Sequence, residues 1–310
     1  MKTSLVTIDE EVVGQRLDNF LIRHLKGVPK ARIYRALRKG EVRVNKGRVK
    51  QDYRLQQGDQ VRIPPLRVSE PTQAPKPHAG MASMLEQRIL YEDASLLIMA
   101  KPAGMPVHGG SGISMGLIEA LRAIRPKQKL LELVHRLDRD TSGCLLIAKK
   151  RALLVALHEL LTHRKVVKQY LALVKGHWPD DVKEVNEPLR KNILRSGERI
   201  VTVTDEGKPA ATKFRVLKKY KNATLVEAKP LTGRTHQIRV HAAVMGHPIA
   251  GDEKYGDAEF NKRMRHLGLK RLFLHAAGIR FKLPDQNINV CNALDEDLIR
   301  AITRLQSEKV

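Results

Sequence analysis

Residues 130–149 read LLELVHRLDRDTSGCLLIAK, and this stretch decides the fold of the larger part of the chain. Two apolar runs of strand length enclose a charged turn that carries His135, Asp138, Asp140, two arginines and a Ser-Gly pair. Short apolar runs bounded by turn residues indicate buried strands. We therefore predict several polar groups at the edge of a buried sheet, where catalytic groups are commonly mounted.

The charged turn has one structural interpretation and two enzymatic ones to weigh. In the structural one, Asp138 or Asp140 accepts hydrogen bonds from nearby backbone amides and the arginines are solvated. A protein-kinase assignment of His-Arg-x-Asp fails, because the sequence lacks the glycine-rich loop, Asp-Phe-Gly and downstream Asn. An aspartic-protease assignment of Asp-Thr-Ser-Gly fails too, since the spacing has one residue too many and no second copy exists to form a carboxylate pair.

Composition points to a polyanionic partner. The chain has 310 residues with 57 Lys and Arg against 33 Asp and Glu, a net charge of +24. Such an excess favours nucleic acid. An anionic membrane is the rival, but no apolar stretch approaches the roughly 20 residues of a spanning helix, and no signal-like segment opens the sequence. We predict a soluble, cytoplasmic protein.

The two cysteines, Cys144 and Cys291, support neither a disulfide framework nor a thiolate metal site. Twelve histidines are present, but none form His-Glu-x-x-His. The sequence therefore predicts no metal site.

The N-terminal segment, residues 1–68, is predicted to contain two short helices and a small sheet. Pro29 suits the first turn of the second helix, and Gly40 suits its left-handed cap. Five cations of this helix are expected to face outward: Lys30, Arg32, Arg35, Arg38 and Lys39. Between Ile22 and Lys50 there are eleven Lys or Arg and one acid, whereas a merely solvated face is usually mixed in sign.

Two helices, the second of them basic, with RKGEVRVNKG at 38–47 and a small sheet resemble the S4 RNA-binding domain over residues 14–65. The resemblance implies that the basic helix and adjacent loop bind structured RNA, which the charge of the helix supports independently. Residues 69–84 contain three prolines and no periodicity. They are predicted to form an extended linker.

Residues 85–310 are predicted to form one larger α+β domain with a mixed, largely antiparallel sheet. Strands are expected at 89–100, in two segments, and at 168–174, 212–220 and 223–229, with helices at 114–124 and 151–164. The glycine-rich stretch VHGGSG at 107–112 is weak as a phosphate-binding loop, because it lacks Gly-Lys-Ser/Thr. A flexible surface loop is the prediction there.

A second concentration of polar residues, PLTGRTHQIRVHAAVMG, occupies 230–246. Thr235 is predicted to cap a helix that ends at Gly246. Arg234 and Arg239 then lie near its N-terminal turn, where the helix dipole disfavours cations. Either a partner anion such as Asp138 compensates them, or both simply reach solvent.

Four motifs together resemble the RluA-type pseudouridine synthases: His135-Arg-Leu-Asp138-x-x-Thr-Ser-Gly143, Lys168-x-Tyr170, Gly233-Arg-Thr-His-Gln-Ile-Arg239-Val-His241 and Leu274-His-Ala276. With the S4-like region, the resemblance spans nearly the whole chain. The stretches 27–30, 107–112 and 192–200 look most like members that modify large-subunit ribosomal RNA.

The resemblance implies isomerisation of specific uridines in large-subunit ribosomal RNA to pseudouridine. By motif position, Asp138 would be the essential catalytic carboxylate. Arg136 would enter the gap left by the flipped nucleotide and Tyr170 would stack on the uracil, while Arg239 would pair with Asp138 and Leu274 would line the pocket. An ionised carboxylate can add to the sugar carbon or remove its neighbouring proton, and an adjacent Arg favours that form.

The implied reaction is redox-neutral, so no cofactor is expected. The predicted partner is ribosomal RNA alone, with no membrane and no protein partner, and the predicted state is a monomer. One alternative function stays open: a non-catalytic, S4-type RNA-binding factor for ribosome assembly. That alternative requires Asp138 or its pocket to be lost.

Overall fold

The computed structural model describes residues 3–25, 27–66, 77, 79–109, 115–193 and 199–307. The chain divides into two compact units, residues 1–76 and 77–310. Most of the predicted linker, residues 110–112 of the glycine-rich stretch and residues 194–198 lie outside the described residues. Among the described helices, none is both long and apolar enough to cross a lipid bilayer.

The smaller unit packs two helices on a three-stranded antiparallel sheet. Its elements are β1 (Ser4–Thr7), α1 (Leu17–His24), α2 (Lys30–Lys39), β2 (Arg43–Val44) and β3 (Gln60–Ile63), with strand order β1-β3-β2. Leu17, Leu21, Ile33 and Val61 are buried in its core. The apolar side of each helix therefore faces inward, as the spacing predicts.

Helix α2 begins and ends as its sequence predicts. Pro29 is the N-cap, and Gly40 closes the helix in the left-handed conformation at φ 68°. Lys30, Arg35, Arg38 and Lys39 are exposed. Arg32 differs from the other cations of the helix, because its Nη2 donates to Glu41 Oε2 over 2.8 Å.

The larger unit is built from twelve strands and six helices in its described part. Its strands are β4 (Ile89–Glu92), β5 (Leu96–Lys101), β6 (Glu132–Leu133), β7 (Ser142–Ala148), β8 (Val167–Lys175), β9 (Glu184–Val185), β10 (Leu189–Ile193), β11 (Arg199–Val203), β12 (Thr212–Tyr220), β13 (Ala223–Pro230), β14 (Leu274–Lys282) and β15 (Asn287–Cys291). Its helices are α3 (Ala79–Glu86), α4 (Leu117–Ile124), α5 (Arg151–Thr162), α6 (Gln237–Val244), α7 (Ala258–His266) and α8 (Glu296–Ser307).

Ten of these strands form one mixed sheet, and β10 and β11 form a separate hairpin. The order is β4-β5-β7-β14-β8-β13-β12-β9, with β15 also paired to β14 and β6 to β7. Its described pairings are antiparallel except that of β7 with β14. The predicted α+β class with a largely antiparallel sheet is confirmed, as are the predicted strand pairs β4–β5 and β12–β13.

The linker prediction is wrong for residues 79–84, which belong to helix α3. Pro77 is the last proline before this segment, and Ala79-Gly-Met-Ala-Ser-Met-Leu85 contains good helix formers. Leu85 is fully buried, and Met81 and Met84 pack against the core of the larger unit. Burial of these side chains stabilises a helix where an extended connector was expected.

The predicted cap of α6 is wrong by one residue. His236, not Thr235, is the N-cap, and it adopts the left-handed conformation at φ 54° and ψ 18°. The helix ends at Val244, slightly before the predicted residue, and Gly246 follows in the left-handed conformation. A left-handed N-cap is unusual for a non-glycine residue and indicates that its side chain is held by other contacts.

The polar loop of residues 134–141 is anchored by the junction of β7 and β14. His275 pairs with Ser142 and Ala276 with Gly143 in parallel register. Ser142 Oγ is 2.8 Å from His275 Nδ1 and accepts from Arg271 Nη1 over 3.0 Å. Gly143 has φ 110°, and a Cβ on it would lie 2.6 Å from Ala276 N. Only glycine fits here without displacing β14.

We expect Gly143→Ala to lower the free energy of unfolding by about 2–4 kcal/mol, because backbone strain and a backbone clash add together. Gly246→Ala is a matched control, since Gly246 also has positive φ (79°) but open space around its Cβ position. It should cost only about 1 kcal/mol. Urea unfolding followed by the fluorescence of Trp178, the single tryptophan, reports on the larger unit. Equal losses in both variants would contradict the close approach of β14.

Candidate active site

The polar loop between β6 and β7 contains a tight turn that carries two carboxylates, Asp138 and Asp140. Asp138 O accepts a hydrogen bond from Thr141 N over 3.2 Å, which closes the turn. The Asp138 side chain is 29% exposed, whereas neighbouring Leu137 and Thr141 are buried. Asp140 bonds to Arg139 at the surface over 3.0 Å. Asp138 is therefore the less exposed of the two acids of this turn.

The side chains of His135 and Lys101 hold the polar loop in place through hydrogen bonds to backbone groups. His135 Nε2 accepts from Leu146 N over 3.1 Å, and burial lowers the pKa of His135 to about 4, so the imidazole is neutral and accepts at this nitrogen. The Lys101 ammonium donates to the carbonyls of Pro102, Met105 and Arg139 at 2.7–2.8 Å. Three carbonyls satisfy its three protons although burial lowers the pKa of Lys101 to about 7.

Arg239, from the first turn of α6, reaches Asp138 but is bonded more closely to another acid. Its Nε and Nη2 donate to the two oxygens of Asp252 over 2.7 Å each. Its Nη1 lies 3.5 Å from Asp138 Oδ2. Burial by itself would raise the pKa of Asp252, but the Arg239 hydrogen bonds outweigh it and hold that pKa below its ordinary value. Asp252 thus stays ionised and orients the guanidinium.

The two arginines of the 230–246 stretch therefore behave differently. The alternative of a partner anion holds for Arg239, with Asp252 as the main partner and Asp138 as the second. Arg234 Nε instead donates to the carbonyl of Pro209 at the surface over 3.1 Å. Sequence periodicity alone left both alternatives open for each arginine.

His236 lies beside the same carboxylate. Its Nε2 is 3.9 Å from Asp138 Oδ2, and its Nδ1 is 2.8 Å from the Tyr255 hydroxyl. Tyr255 also accepts from Val201 N over 2.9 Å, and its ring lies 5.1 Å from Arg239 Cζ. Burial lowers the pKa of His236, so the neutral imidazole is the form present near pH 7.

Two other polar residues of the 230–246 stretch, Gln237 and His241, hold helix α6 in place. Gln237 Nε2 donates to Ala211 O and Thr212 Oγ1, and Gln237 Oε1 accepts from Arg234 N. His241 is buried between Thr212 Oγ1 and Glu187 O, at 2.9 and 3.0 Å. These bonds fix α6 on β12 and so place Arg239 and His236.

Tyr170 and Leu274 come from the paired strands β8 and β14. Tyr170 pairs with Ala276 and Ala172 pairs with Leu274, so the two side chains lie on neighbouring strands. Both are buried. Burial and the charge of Asp138 raise the pKa of Tyr170, which keeps its hydroxyl neutral. That hydroxyl has no hydrogen-bond partner within the described residues.

Arg136 is exposed, and its guanidinium makes no hydrogen bond or ion pair with the described part of the chain. It lies two residues before Asp138, on the same loop. An exposed guanidinium without a protein partner, on the loop that carries an accessible carboxylate, is free to contact a ligand.

Sequence reasoning missed three groups that build this site: Lys101, Asp252 and Tyr255. Asp252 and Tyr255 belong to the stretch GDEKYG at 251–256, whose bracketing glycines signal a tight backbone. A Cβ on Gly256 would lie 2.9 Å from Asp252 C. Lys101 gives a weaker signal, a lysine that ends an otherwise apolar strand.

Two family models match the chain. The model described as RNA pseudouridylate synthase matches residues 95–244, which include the polar loop, Tyr170 and α6. The model of the S4 domain matches residues 15–61, which include α1, α2 and most of the small sheet's β2 and β3. The resemblances derived from sequence motifs are thus confirmed for both parts.

Relatives and solved structures agree with these matches. The ribosomal large subunit pseudouridine synthase C of Pasteurella multocida is 55% identical, over 98% of this chain and 94% of the relative. That of Escherichia coli strain K12 is 54% identical, over 98% and 97%. The structure of human RNA pseudouridylate synthase domain containing 4 superimposes with a TM-score of 0.62 at 27% identity, over 73% of this chain and 96% of that one. By its long, nearly complete match to these relatives, the chain belongs to the RNA pseudouridylate synthase family and is an RNA pseudouridine synthase, an isomerase.

Proposed function

We propose that this enzyme isomerises specific uridines of large-subunit ribosomal RNA to pseudouridine, with Asp138 as its essential catalytic residue. Relatives with 54% and 55% identity carry the name ribosomal large subunit pseudouridine synthase C, which supports this substrate. The S4 domain and the net charge of +24 support an RNA polyanion as the partner.

The observation that carries the proposal is the convergence of separate elements on one carboxylate. Asp138 lies on the loop before β7, while Arg239 and His236 approach the same oxygen from the start of α6 at 3.5 and 3.9 Å. Burial and the charge of Asp138 together raise the pKa of Tyr170 on β8. A carboxylate, an orienting cation and a stackable ring suit the cleavage and re-formation of a glycosidic bond on a flipped base.

The reaction moves one bond and one proton. The C1′–N1 bond breaks, the uracil rotates, C5 bonds to C1′, and C5 loses a proton while N1 gains one. Ionised Asp138 either adds to C1′ or removes the proton of the neighbouring sugar carbon, and both routes begin from the same carboxylate. No electrons are gained or lost overall, so the proposed chemistry needs no cofactor.

The surrounding side chains have separate roles in the proposal. A target base inside an RNA stack must leave it before Asp138 reaches the sugar. Arg136, exposed and unpartnered in the described structure, fills the gap in the stack. Tyr170 offers a ring face to the flipped uracil, and Leu274 closes the apolar wall beside it. Arg239 holds Asp138 in place.

The S4 domain is proposed to supply affinity through the exposed cations of α2. Phosphate contacts position an RNA but perform no chemistry on it. The proposed state is a monomer. An enzyme that acts on ribosomal RNA would work in the cytoplasm.

The alternative of a non-catalytic assembly factor is disfavoured. It requires the carboxylate or its pocket to be lost, whereas Asp138 is accessible and Arg239 faces it. RNA binding without turnover would be the outcome that restores this alternative.

We expect Asp138→Asn to retain RNA affinity but to reduce product below about a thousandth of the wild-type amount, because an amide neither attacks nor accepts a proton as a carboxylate does. Tritium released from C5-labelled uridine in a large-subunit ribosomal RNA transcript measures turnover. Asp140→Asn is the control from the same turn, since Asp140 bonds to Arg139 at the surface. Its rate should stay close to wild type. Turnover by Asp138→Asn above that limit would exclude the assigned role.

We expect the double variant Arg35→Gln, Arg38→Gln to bind RNA more weakly and with a flatter salt dependence, by about 0.7–0.9 in logarithmic slope for each phosphate that is no longer neutralised. Titrations at several salt concentrations give the slope. Arg32→Gln is the control, because Glu41 already engages Arg32, and its slope should change less.

Single-turnover rates at saturating RNA should change little in the double variant. An unchanged salt slope would mean that α2 is only a solvated face. A collapsed saturated rate would mean that the S4 domain shapes the active site.

A further inference from the structure

The two oxygens of Asp138 have different surroundings. Both protein donors, Arg239 Nη1 at 3.5 Å and His236 Nε2 at 3.9 Å, approach Oδ2. Within the described part of the chain, no side-chain or backbone donor bonds to Oδ1. One oxygen therefore faces the protein, and the other is left for the substrate.

The hydrogen bonds around Tyr255 fix the tautomer of His236. The Tyr255 hydroxyl accepts from Val201 N over 2.9 Å and lies 2.8 Å from His236 Nδ1. Its own proton has one acceptor among the described residues, His236 Nδ1. Neutral imidazole has one N–H, so the proton of His236 is then on Nε2, the nitrogen that faces Asp138.

The opposite tautomer is disfavoured by charge. With the proton on Nδ1, the lone pair of Nε2 would face an oxygen of the Asp138 carboxylate at 3.9 Å. Two electron-rich atoms would then oppose each other in a partly desolvated site. The Tyr255 proton would also lose its acceptor in the described structure.

We propose that Val201 N–H, the Tyr255 hydroxyl and His236 form a hydrogen-bonded relay that aims the His236 Nε2–H at Asp138 Oδ2, making His236 a positioning residue for the reaction. This inference rests on the proposed catalytic role of Asp138. It assigns Oδ2 to the protein and Oδ1 to the sugar.

The present separation suits a contact that shortens during catalysis. At 3.9 Å the pair is too long for a hydrogen bond, and the Arg239 contact of 3.5 Å is at the limit. Active-site hydrogen bonds are often long before substrate binds and tighten in the complex. A shift of about 1 Å by Asp138 would bring both donors within hydrogen-bond distance.

The backbone supports a functional reason for this histidine. His236 has φ 54°, a left-handed conformation in which Asn and His are both enriched and which Gln adopts less readily. If the residue only capped α6, Asn would be the favoured replacement. A need for the distant ring nitrogen explains a longer side chain at this position.

Two substitutions of His236 test the roles of its two ring nitrogens independently. The amide nitrogen of His236→Gln reaches the place of Nε2 and keeps a donor for Asp138. The shorter amide of His236→Asn reaches only the place of Nδ1, next to Tyr255. We expect His236→Gln to keep a single-turnover rate within a few-fold of wild type, and His236→Asn to lose about tenfold to a hundredfold, the effect of one donor to a charged acceptor.

The stabilities of the two His236 variants should not follow the order of their rates. His236→Asn should unfold at the same urea concentration as His236→Gln or a higher one, because of the left-handed backbone. RNA dissociation constants should be alike for both. His247→Gln and His247→Asn are controls, since His247 is a half-buried histidine that bonds the Lys175 carbonyl over 2.8 Å. Their rates should not differ.

Tyr255→Phe tests the relay itself, because it keeps the ring next to Arg239 and removes only the hydroxyl. We expect Tyr255→Phe alone to lower the single-turnover rate several-fold relative to wild type. Added to His236→Gln, which lacks the Nδ1 acceptor, it should have no further effect. Such non-additivity is the signature of a shared interaction.

Two results would overturn the inference: a rate for His236→Asn equal to or above that of His236→Gln, or fully additive losses in the Tyr255→Phe double variant. Failure of the proposed function looks different. In that case the wild-type enzyme would not release tritium from the ribosomal RNA, or Asp138→Asn would still do so, whatever the His236 variants showed.

Discussion

The ion pair of Arg239 with Asp252 is the interaction on which the rest of the site depends. The Asp252 side chain is fully buried and that of Arg239 is 10% exposed, so each charge needs the other. Asp252 also accepts from the backbone N–H groups of Lys254 and Tyr255 at 3.0 Å. Because Nε and Nη2 of Arg239 donate to Asp252, Nη1 is the nitrogen that is directed at Asp138. One buried carboxylate thus sets both the direction of the arginine and the path of the loop that carries Tyr255.

The polar residues around this ion pair form two groups: those whose hydrogen bonds are made within the protein, and those with unused hydrogen-bonding capacity. Lys101, His135, Gln237 and His241 donate to or accept from backbone groups or structural hydroxyls, and all four fix loops or helix ends. Asp138 Oδ1, the Tyr170 hydroxyl and the Arg136 guanidinium instead have no hydrogen-bond partner among the described residues. Unused hydrogen-bonding capacity beside an accessible carboxylate supports a ligand that binds there.

Local sequence patterns predict the parts of this structure that local chemistry controls. The caps of α2 at Pro29 and Gly40, the hairpin β12–β13 and the acid at the exposed turn of 130–149 are of this kind. Asp252 was missed because its role comes from an arginine thirteen residues earlier, across a loop with no periodic signal. Helix α3 was missed because burial of Leu85 against distant residues overrides a proline-rich context. The register of β14 against β7 is non-local in the same way.

The parallel junction of β7 with β14 also sets an order of events. Ser142 and His275, which bond across it, are 133 residues apart in the chain. Contacts of such separation must first overcome loop-closure entropy, which makes them slow to form. The loop that presents Asp138 is therefore anchored only after residues near 276 have joined the sheet. The smaller unit, whose helices and strands lie within residues 4–63, can therefore be complete before the loop that carries Asp138 is anchored.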